Sequence, residues 1–249
     1  MIKNSFLTAW RNLLKNKAHT ILNIVGLALG VAVFLLIGVW LQRELSFDNF
    51  HKNGDKIFRV SNTFKSESES FSQAPSGPAL GARLPEFLPS LEGGCRVFYN
   101  ELKLKVGDKQ YVESVAISAD SNFFRFFGFK LIKGNPNDVL QHPDRLVLTE
   151  KLATRYFGNE EPIGKPVLVD GKYPMTVSGV AANSPVNSHI RFDVILPTVA
   201  LRQLALAEGF DINNAWVGGW PNTYVQLKDP TKAPEVEKQI TQVVAKQAE

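Results

Sequence analysis

The sequence has 249 residues and one cysteine, Cys95, which excludes an internal disulfide framework and any multi-cysteine metal cluster. Its four histidines, His19, His51, His142 and His189, form no H-E-x-x-H pair, and G-x-S-x-G is absent, so zinc-hydrolase and nucleophile-elbow chemistry have no local signal. Gly158 to Lys165 looks briefly like a phosphate loop. Five residues rather than four separate Gly158 from Gly164, however, and Pro166 stands where a Ser or Thr would hold Mg²⁺, so the segment reads as a helix end followed by a turn. Charge of one sign is also missing from most of the chain. The 28 Lys and Arg face 24 Asp and Glu, and the surplus sits in residues 1–20, which hold Lys3, Arg11, Lys15 and Lys17 and no acid. The rest is neutral and lacks the broad basic face that a phosphate backbone requires, which excludes nucleic acid as a partner. Asp48, His51 and Asp55 read as turn and capping residues rather than metal ligands. No catalytic residue, cofactor or metal is expected.

What the sequence does hold is one long apolar run. Ile21 to Leu41 spans 21 residues without a charge, 14 of them Leu, Ile, Val or Phe, with Asn23 the one strongly polar residue. At roughly −0.3 to −0.6 kcal/mol each, those side chains favour insertion by about 4 to 8 kcal/mol, and about 1.5 Å per residue carries the run across a core of roughly 30 Å. Core helices are rarely apolar all round over this length. A cleaved signal peptide fits poorly too, since its only cleavage-like site, Ala28-Leu29-Gly30, lies inside the run. A transmembrane helix at 21–41 is therefore predicted. Four basic residues precede it and only Arg43 follows at once, which puts the N-terminus in the cytoplasm and the body outside. Within residues 1–20, Ile2, Phe6, Ala9, Trp10, Leu13 and Leu14 recur at helical spacing. This predicts an amphipathic juxtamembrane helix with Trp10, Arg11, Lys15 and Lys17 as interfacial anchors on the bilayer. Gly26 and Gly30 form a G-x-x-x-G pair suited to close packing by another helix.

The body, residues 44–249, alternates strand and helix patterns without a βαβ rhythm. Strands are predicted at Ile57–Phe64, Arg96–Phe98, Leu102–Val106, Tyr111–Ile117, Leu146–Thr149, Pro166–Val169, Tyr173–Val180, Phe192–Leu196 and Thr223–Leu227. Helices are predicted at Ala79–Phe87, Asn122–Phe127, Glu150–Phe157, Thr198–Ala207 and Ala233–Ala248. Asp170-Gly171 and Gly107-Asp108-Lys109 mark hairpins. Lys65 to Ser72 and Ala74 to Gly81 read as loops at a subdomain edge. The expected class is α+β: one transmembrane helix followed by a mixed, largely antiparallel domain of two subdomains. Phe123, Phe124, Phe126, Phe127 and Phe129 are expected to pack in its core.

Several segments together resemble a bacterial family, the ABC-transporter permeases of the MacB and FtsX kind. They are Trp10-Arg11-Asn12-Leu13-Leu14-Lys15-Asn16-Lys17 running into Ile21 to Gly30, Phe47-Asp48-Asn49-Phe50-His51, Ile57-Phe58-Arg59-Val60, and the Phe123 to Phe129 cluster. Leu146 to Glu150, Tyr156-Phe157-Gly158, Pro162 to Lys165 and Val177 to Val180 follow in order. In that family the first membrane helix leads into a MacB-like periplasmic core domain. The resemblance implies an inner-membrane protein with a periplasmic domain and no ATPase chemistry of its own. It also implies a cytoplasmic ABC ATPase as partner, a second permease copy in a dimer, and a periplasmic adaptor or lipoprotein. ATP-driven motion would then be transmitted to the periplasmic side for efflux or extraction of a lipoprotein, peptide or drug. Family members return to the membrane for further helices, and no second apolar run of spanning length precedes Glu249. The chain is therefore expected to be the N-terminal portion of such a permease, cut within the periplasmic domain. The alternative is a single-pass anchored extracytoplasmic sensor or binding module, for which 20 residues before the apolar run leave no room for an output domain.

Overall fold

Two helices build the first unit, Met1–Phe47. The computed structural model describes residues 2–65 and 70–248, and only the backbone of residues 2–6, 9, 64, 65, 70 and 114. The Ile2, Phe6 and Ala9 side chains of the predicted apolar stripe thus lie outside the described ones. Helix α1 (Ile2–Lys15) is separated from α2 (Lys17–Leu45) by Asn16, whose φ of −107° and ψ of 55° are not helical. Across this break the Thr20 hydroxyl donates to Leu13 O at 2.9 Å. Helix α2 is 29 residues long and buries none of them, so it is long and apolar enough to cross a membrane.

In the second unit, Asp48–Glu249, the described residues form eleven strands and five α-helices. The strands are β1 (Ile57–Val60), β2 (Asn62–Lys65), β3 (Ser70–Gln73), β4 (Leu91–Val106), β5 (Lys109–Ala119), β6 (Leu131–Lys133), β7 (Arg145–Thr149), β8 (Pro166–Val169), β9 (Tyr173–Ala181), β10 (Val194–Pro197) and β11 (Asn222–Leu227). The helices are α3 (Pro78–Phe87), α4 (Phe123–Phe127), α5 (Glu150–Phe157), α6 (Thr198–Ala207) and α7 (Ala233–Gln247). Nine strands form one sheet in the order β1-β11-β4-β5-β10-β7-β9-β6, with β8 paired to β4 and β9, while β2 and β3 pair separately. Among the described residues only β10–β5 and β7–β9 run parallel, so the sheet is mostly antiparallel.

Local chemistry explains the elements. In the β8–β9 hairpin Asp170 and Gly171 both have positive φ, 51° and 69°, and Lys172 N–H donates to Val169 O at 3.0 Å, the geometry that matches strand twist. The Thr149 hydroxyl caps α5 by accepting from Leu152 N–H at 3.5 Å, and Gly158 ends that helix at φ 62°. Helix α3 lies tight on β4, since a Cβ on Gly94 would stand 2.3 Å from Gly81 O and one on Gly81 would stand 2.5 Å from Arg96 Cγ.

Three apolar clusters fill the unit, and β4 crosses all of them. Leu91 belongs with α3, β11 and α7; Cys95 and Val97 belong with the α4 phenylalanines; Leu102 and Leu104 pack with α5, β7 and β9. The expected division into two subdomains is not found: residues 48–249 form one compact unit, with one sixteen-residue strand running through all three clusters. Three other expectations are corrected. The run Ile57–Phe64 divides at Ser61 into β1 and β2, and β1 joins the large sheet while β2 pairs with β3. The polar residues Lys65 and Ser70–Ser72 are strand rather than loop, because backbone pairing in a two-stranded hairpin does not depend on apolar side chains; residues 66–69 lie outside the described ones. Pro78 to Gly81 opens α3 instead of a loop, proline being tolerated in a first helical turn.

Candidate functional site

Asp48 begins the second unit with φ 58°, a left-handed conformation that non-glycine residues seldom adopt. Its N–H donates to Asn187 O at 2.8 Å. Its carboxylate is gripped at two points by His189, whose backbone N–H donates to Oδ1 at 3.0 Å and whose Nδ1–H donates to Oδ2 at 2.6 Å. Tyr224, on β11 and 2% exposed, donates its hydroxyl to His189 Nε2 at 2.8 Å. Burial pushes the Tyr224 phenol up, so the hydroxyl keeps its proton.

His51 completes the group from the other side. Its side chain is 5% exposed and wedged among rings, with Phe50 at 4.0 Å and Phe129 and Phe127 at 5.5 and 5.6 Å between centroids. Nδ1–H donates to Phe127 O at 2.6 Å, so that in a neutral ring the lone pair lies on Nε2. Nε2 lies 3.7 Å from Asp48 Oδ1 and is buried without a hydrogen-bond partner among the described residues. One ligand atom each from Asp48, His51 and His189 lies within 4.8 Å of the others. Asp55, by contrast, sits on the 3₁₀ turn Gly54–Lys56 and is not a member of the group.

A second feature is a cleft of about 600 Å³ bounded by α6, the β4–β5 ribbon and the β8–β9 hairpin. Leu102, Met175, Leu196, Leu201 and Leu204 make its walls largely apolar, while Tyr99, Asn100, Ser118 and Asp170 add polar groups. The Asn100 carboxamide reaches Ser118 Oγ at 2.9 Å.

The remaining charged clusters tie elements together. Glu113 on β5 accepts from Arg155 at 3.0 Å and from the Tyr156 hydroxyl at 2.5 Å, both from α5. Burial and that carboxylate push the Tyr156 phenol up. Arg202 and Asp211 form a two-pronged pair at 2.8 and 2.9 Å beside α6.

The residues singled out in the sequence fall in separate places. Trp10, Arg11 and Lys15 lie on α1, Lys17 opens α2, and Gly26 and Gly30 lie within α2 with nothing inside 4 Å of a Cβ built on either. The five phenylalanines of the α4 region are buried, between 0 and 7% exposed, as core residues. Sequence reasoning missed His189 and Tyr224, which lie 141 and 176 residues from Asp48 and join it only through the loop before β10 and through β11. No local spacing signals such a pairing.

Comparison with known proteins agrees with this architecture. The macrolide export ATP-binding/permease protein MacB of Salmonella typhimurium is 22% identical over 252 residues, covering 95% of this chain and 36% of that protein. The chain thus spans about a third of the length of the curated relatives it matches. Among solved structures, a domain of a protein described as a permease, from Porphyromonas gingivalis, aligns with a TM-score of 0.66 at 23% identity over 79% of this chain and 86% of its own. The periplasmic region of MacB from Actinobacillus actinomycetemcomitans aligns with a TM-score of 0.55 at 19% identity over the same shares. At these identities the likeness is one of fold. Residues 20–243 match one family throughout, from the apolar helix into α7, and on that ground the chain belongs to the MacB-like periplasmic core domain family.

Proposed function

We propose that this chain is the membrane-anchored N-terminal portion of an ABC-transporter permease of the MacB and FtsX kind. In this reading residues 1–20 lie against the cytoplasmic face, 21–41 cross the inner membrane, and 44–249 work in the periplasm. The observation that carries it is the unbroken family match over residues 20–243, which joins the apolar helix and the sheet domain in one unit of homology. A cytoplasmic ATPase, separate or fused, hydrolyses ATP, and the permease, as a dimer, transmits the motion to the periplasmic domain, where an adaptor or lipoprotein is engaged. The cargo is a lipoprotein, peptide or drug moved outward. The apolar cleft beside α6 supports a role in contacting an amphiphile, being of the size that holds a drug-sized molecule.

Purification of the native protein from its own membranes, followed by mass spectrometry, tests the reading. Co-purifying ATPase peptides and further hydrophobic segments on the same chain are the expected result. A native chain that ends at Glu249 without an ATPase would instead favour an anchored sensor or binding module. Protease added outside spheroplasts should digest residues 44–249, and their protection until lysis would reverse the orientation.

A further inference from the structure

We infer that Asp48, His51 and His189 form a three-ligand site for a divalent transition-metal ion of the Zn²⁺ class. The inference stands independently of the transport reading, since it concerns the folded domain alone.

His51 carries the argument. Its ring is held by Phe50, Phe127 and Phe129, and its Nδ1–H is committed to Phe127 O at 2.6 Å. A neutral imidazole held this way turns the Nε2 lone pair toward the Asp48 carboxylate 3.7 Å away, lone pair against lone pair, in a place where Nε2 has no donor among the described residues. A cation between the two removes that conflict. Histidine ligands of metals ordinarily donate their second ring N–H to a carbonyl, carboxylate or hydroxyl: Phe127 O already accepts from His51, and Tyr224 Oη, the donor to His189 Nε2 in the metal-free arrangement, stands 2.8 Å away where a turned hydroxyl can accept.

The distances suit a tetrahedral ion. Ligand atoms about 2.0 to 2.2 Å from Zn²⁺ stand somewhat over 3 Å apart, and the 3.7 Å between His51 Nε2 and Asp48 Oδ1 is near that edge. The 2.6 Å hydrogen bond from His189 Nδ1 to Asp48 Oδ2 must open by less than 1 Å as the ion replaces its proton. That proton moves to Nε2, the Tyr224 hydroxyl rotates its own hydrogen away and accepts the Nε2–H hydrogen bond, and the imidazole stays neutral. Two imidazoles and one carboxylate leave a fourth position for water, reached from the side where Asp48 and His189 are 28 and 33% exposed. The ion would clamp the first residue of the sheet domain, next in sequence to the apolar helix segment, to the loop before β10.

The test uses the full chain in detergent micelles with metal alone. Zn²⁺ is expected to bind at one equivalent and raise the melting midpoint, and Co²⁺ is expected to give the intense visible bands of a low-symmetry tetrahedral site. Asp48→Asn and His189→Ala should each weaken Zn²⁺ at least tenfold. Tyr224→Phe, which keeps the packed ring, should cost roughly 10- to 100-fold. His142→Ala, which removes the exposed His142–Asp138 pair, should change nothing. Absence of Zn²⁺ binding by the wild-type chain, or binding that survives His189→Ala and Asp48→Asn but is lost in His142→Ala, would overturn the assignment. His51→Gln, if folded, should abolish the Co²⁺ bands, and bands that persist in it would overturn the assignment as well.

Discussion

Arg96 grips Asp120 with a two-pronged ion pair, Nε at 3.0 Å from Oδ2 and Nη2 at 2.8 Å from Oδ1, while its own backbone N–H donates to the same carboxylate at 2.8 Å. The guanidinium side chain is 6% exposed, and its last nitrogen is spent on Pro78 O and Asn213 Oδ1 at 3.1 and 2.7 Å. One side chain thus ties β4 to the end of β5, the start of α3 and the turn after α6. Removing the carboxylate strands a buried cation, which costs about 3 to 5 kcal/mol, far more than an exposed pair contributes. Asp120→Ala is expected to lose stability in that range in urea unfolding, and a loss under about 1 kcal/mol would mean that Arg96 finds other acceptors.

Much of this fold is legible in the sequence where periodicity and turn chemistry agree. Helix α5, capped by Thr149, and helix α6 and strand β8 have the bounds that the sequence pattern predicts, and the Asp170-Gly171 hairpin forms at its marked turn. The single strand β4 is harder to see, because Asn100 and Glu101 interrupt its apolar pattern at the register shift against β5. Strands β3 and β6 carry weak patterns, Ser70–Gln73 being largely polar and Leu131–Lys133 only three residues long. The histidine–aspartate group is illegible for a different reason. Asp48 and His51 stand together in the sequence, whereas His189 and Tyr224 reach them only through tertiary folding, and turn-forming residue types gave Asp48, His51 and Asp55 a sufficient local explanation.

Phe127 sits at the meeting point of the aromatic core. It is 1% exposed, and its ring stands edge-on to Tyr224 at 5.0 Å and to Phe126 at 4.9 Å. Truncation removes both the transfer free energy of the ring and the contacts of the cavity wall. Phe127→Ala is expected to cost about 3 to 5 kcal/mol in chemical denaturation. Normal stability with loss of a binding partner would turn the cluster into a docking surface.

Asp211 sets a pH dependence. The hydrogen-bonded Arg202 guanidinium first, and the Asn213 N–H second, hold its carboxyl down to about 2, against about 3.9 in an unfolded chain. Its contribution to stability is therefore complete above about pH 4 and is lost as pH falls through about 2. The difference in unfolding free energy between the wild type and Asp211→Asn should be widest at pH 5 and close toward pH 2. Because Arg202 is 41% exposed, 1 M salt should shrink the difference as well. A gap that is constant from pH 5 to 2 would show that the carboxylate charge contributes nothing.

The glycine pair in α2 gives a test of assembly that the fold of the single chain does not disturb. A Cβ on Gly26 or on Gly30 meets no atom within 4 Å among the described residues, and both glycines lie in helical backbone where a side chain brings no strain. Replacing glycine by leucine there should also raise helix propensity, by a few tenths of a kcal/mol to about 1 kcal/mol at each site. Any loss from Gly26→Leu with Gly30→Leu must then come from another helix that approaches the pair closely, as packing in a bilayer favours. The double variant is expected to insert and fold normally while its dimer fraction falls several-fold in detergent cross-linking. Gly38→Leu, on the same helix and equally open, serves as the control and should leave the dimer fraction unchanged. Equal dimer fractions in all three proteins would remove Gly26 and Gly30 from the interface and leave any association to the sheet domain or to helices elsewhere in the assembly.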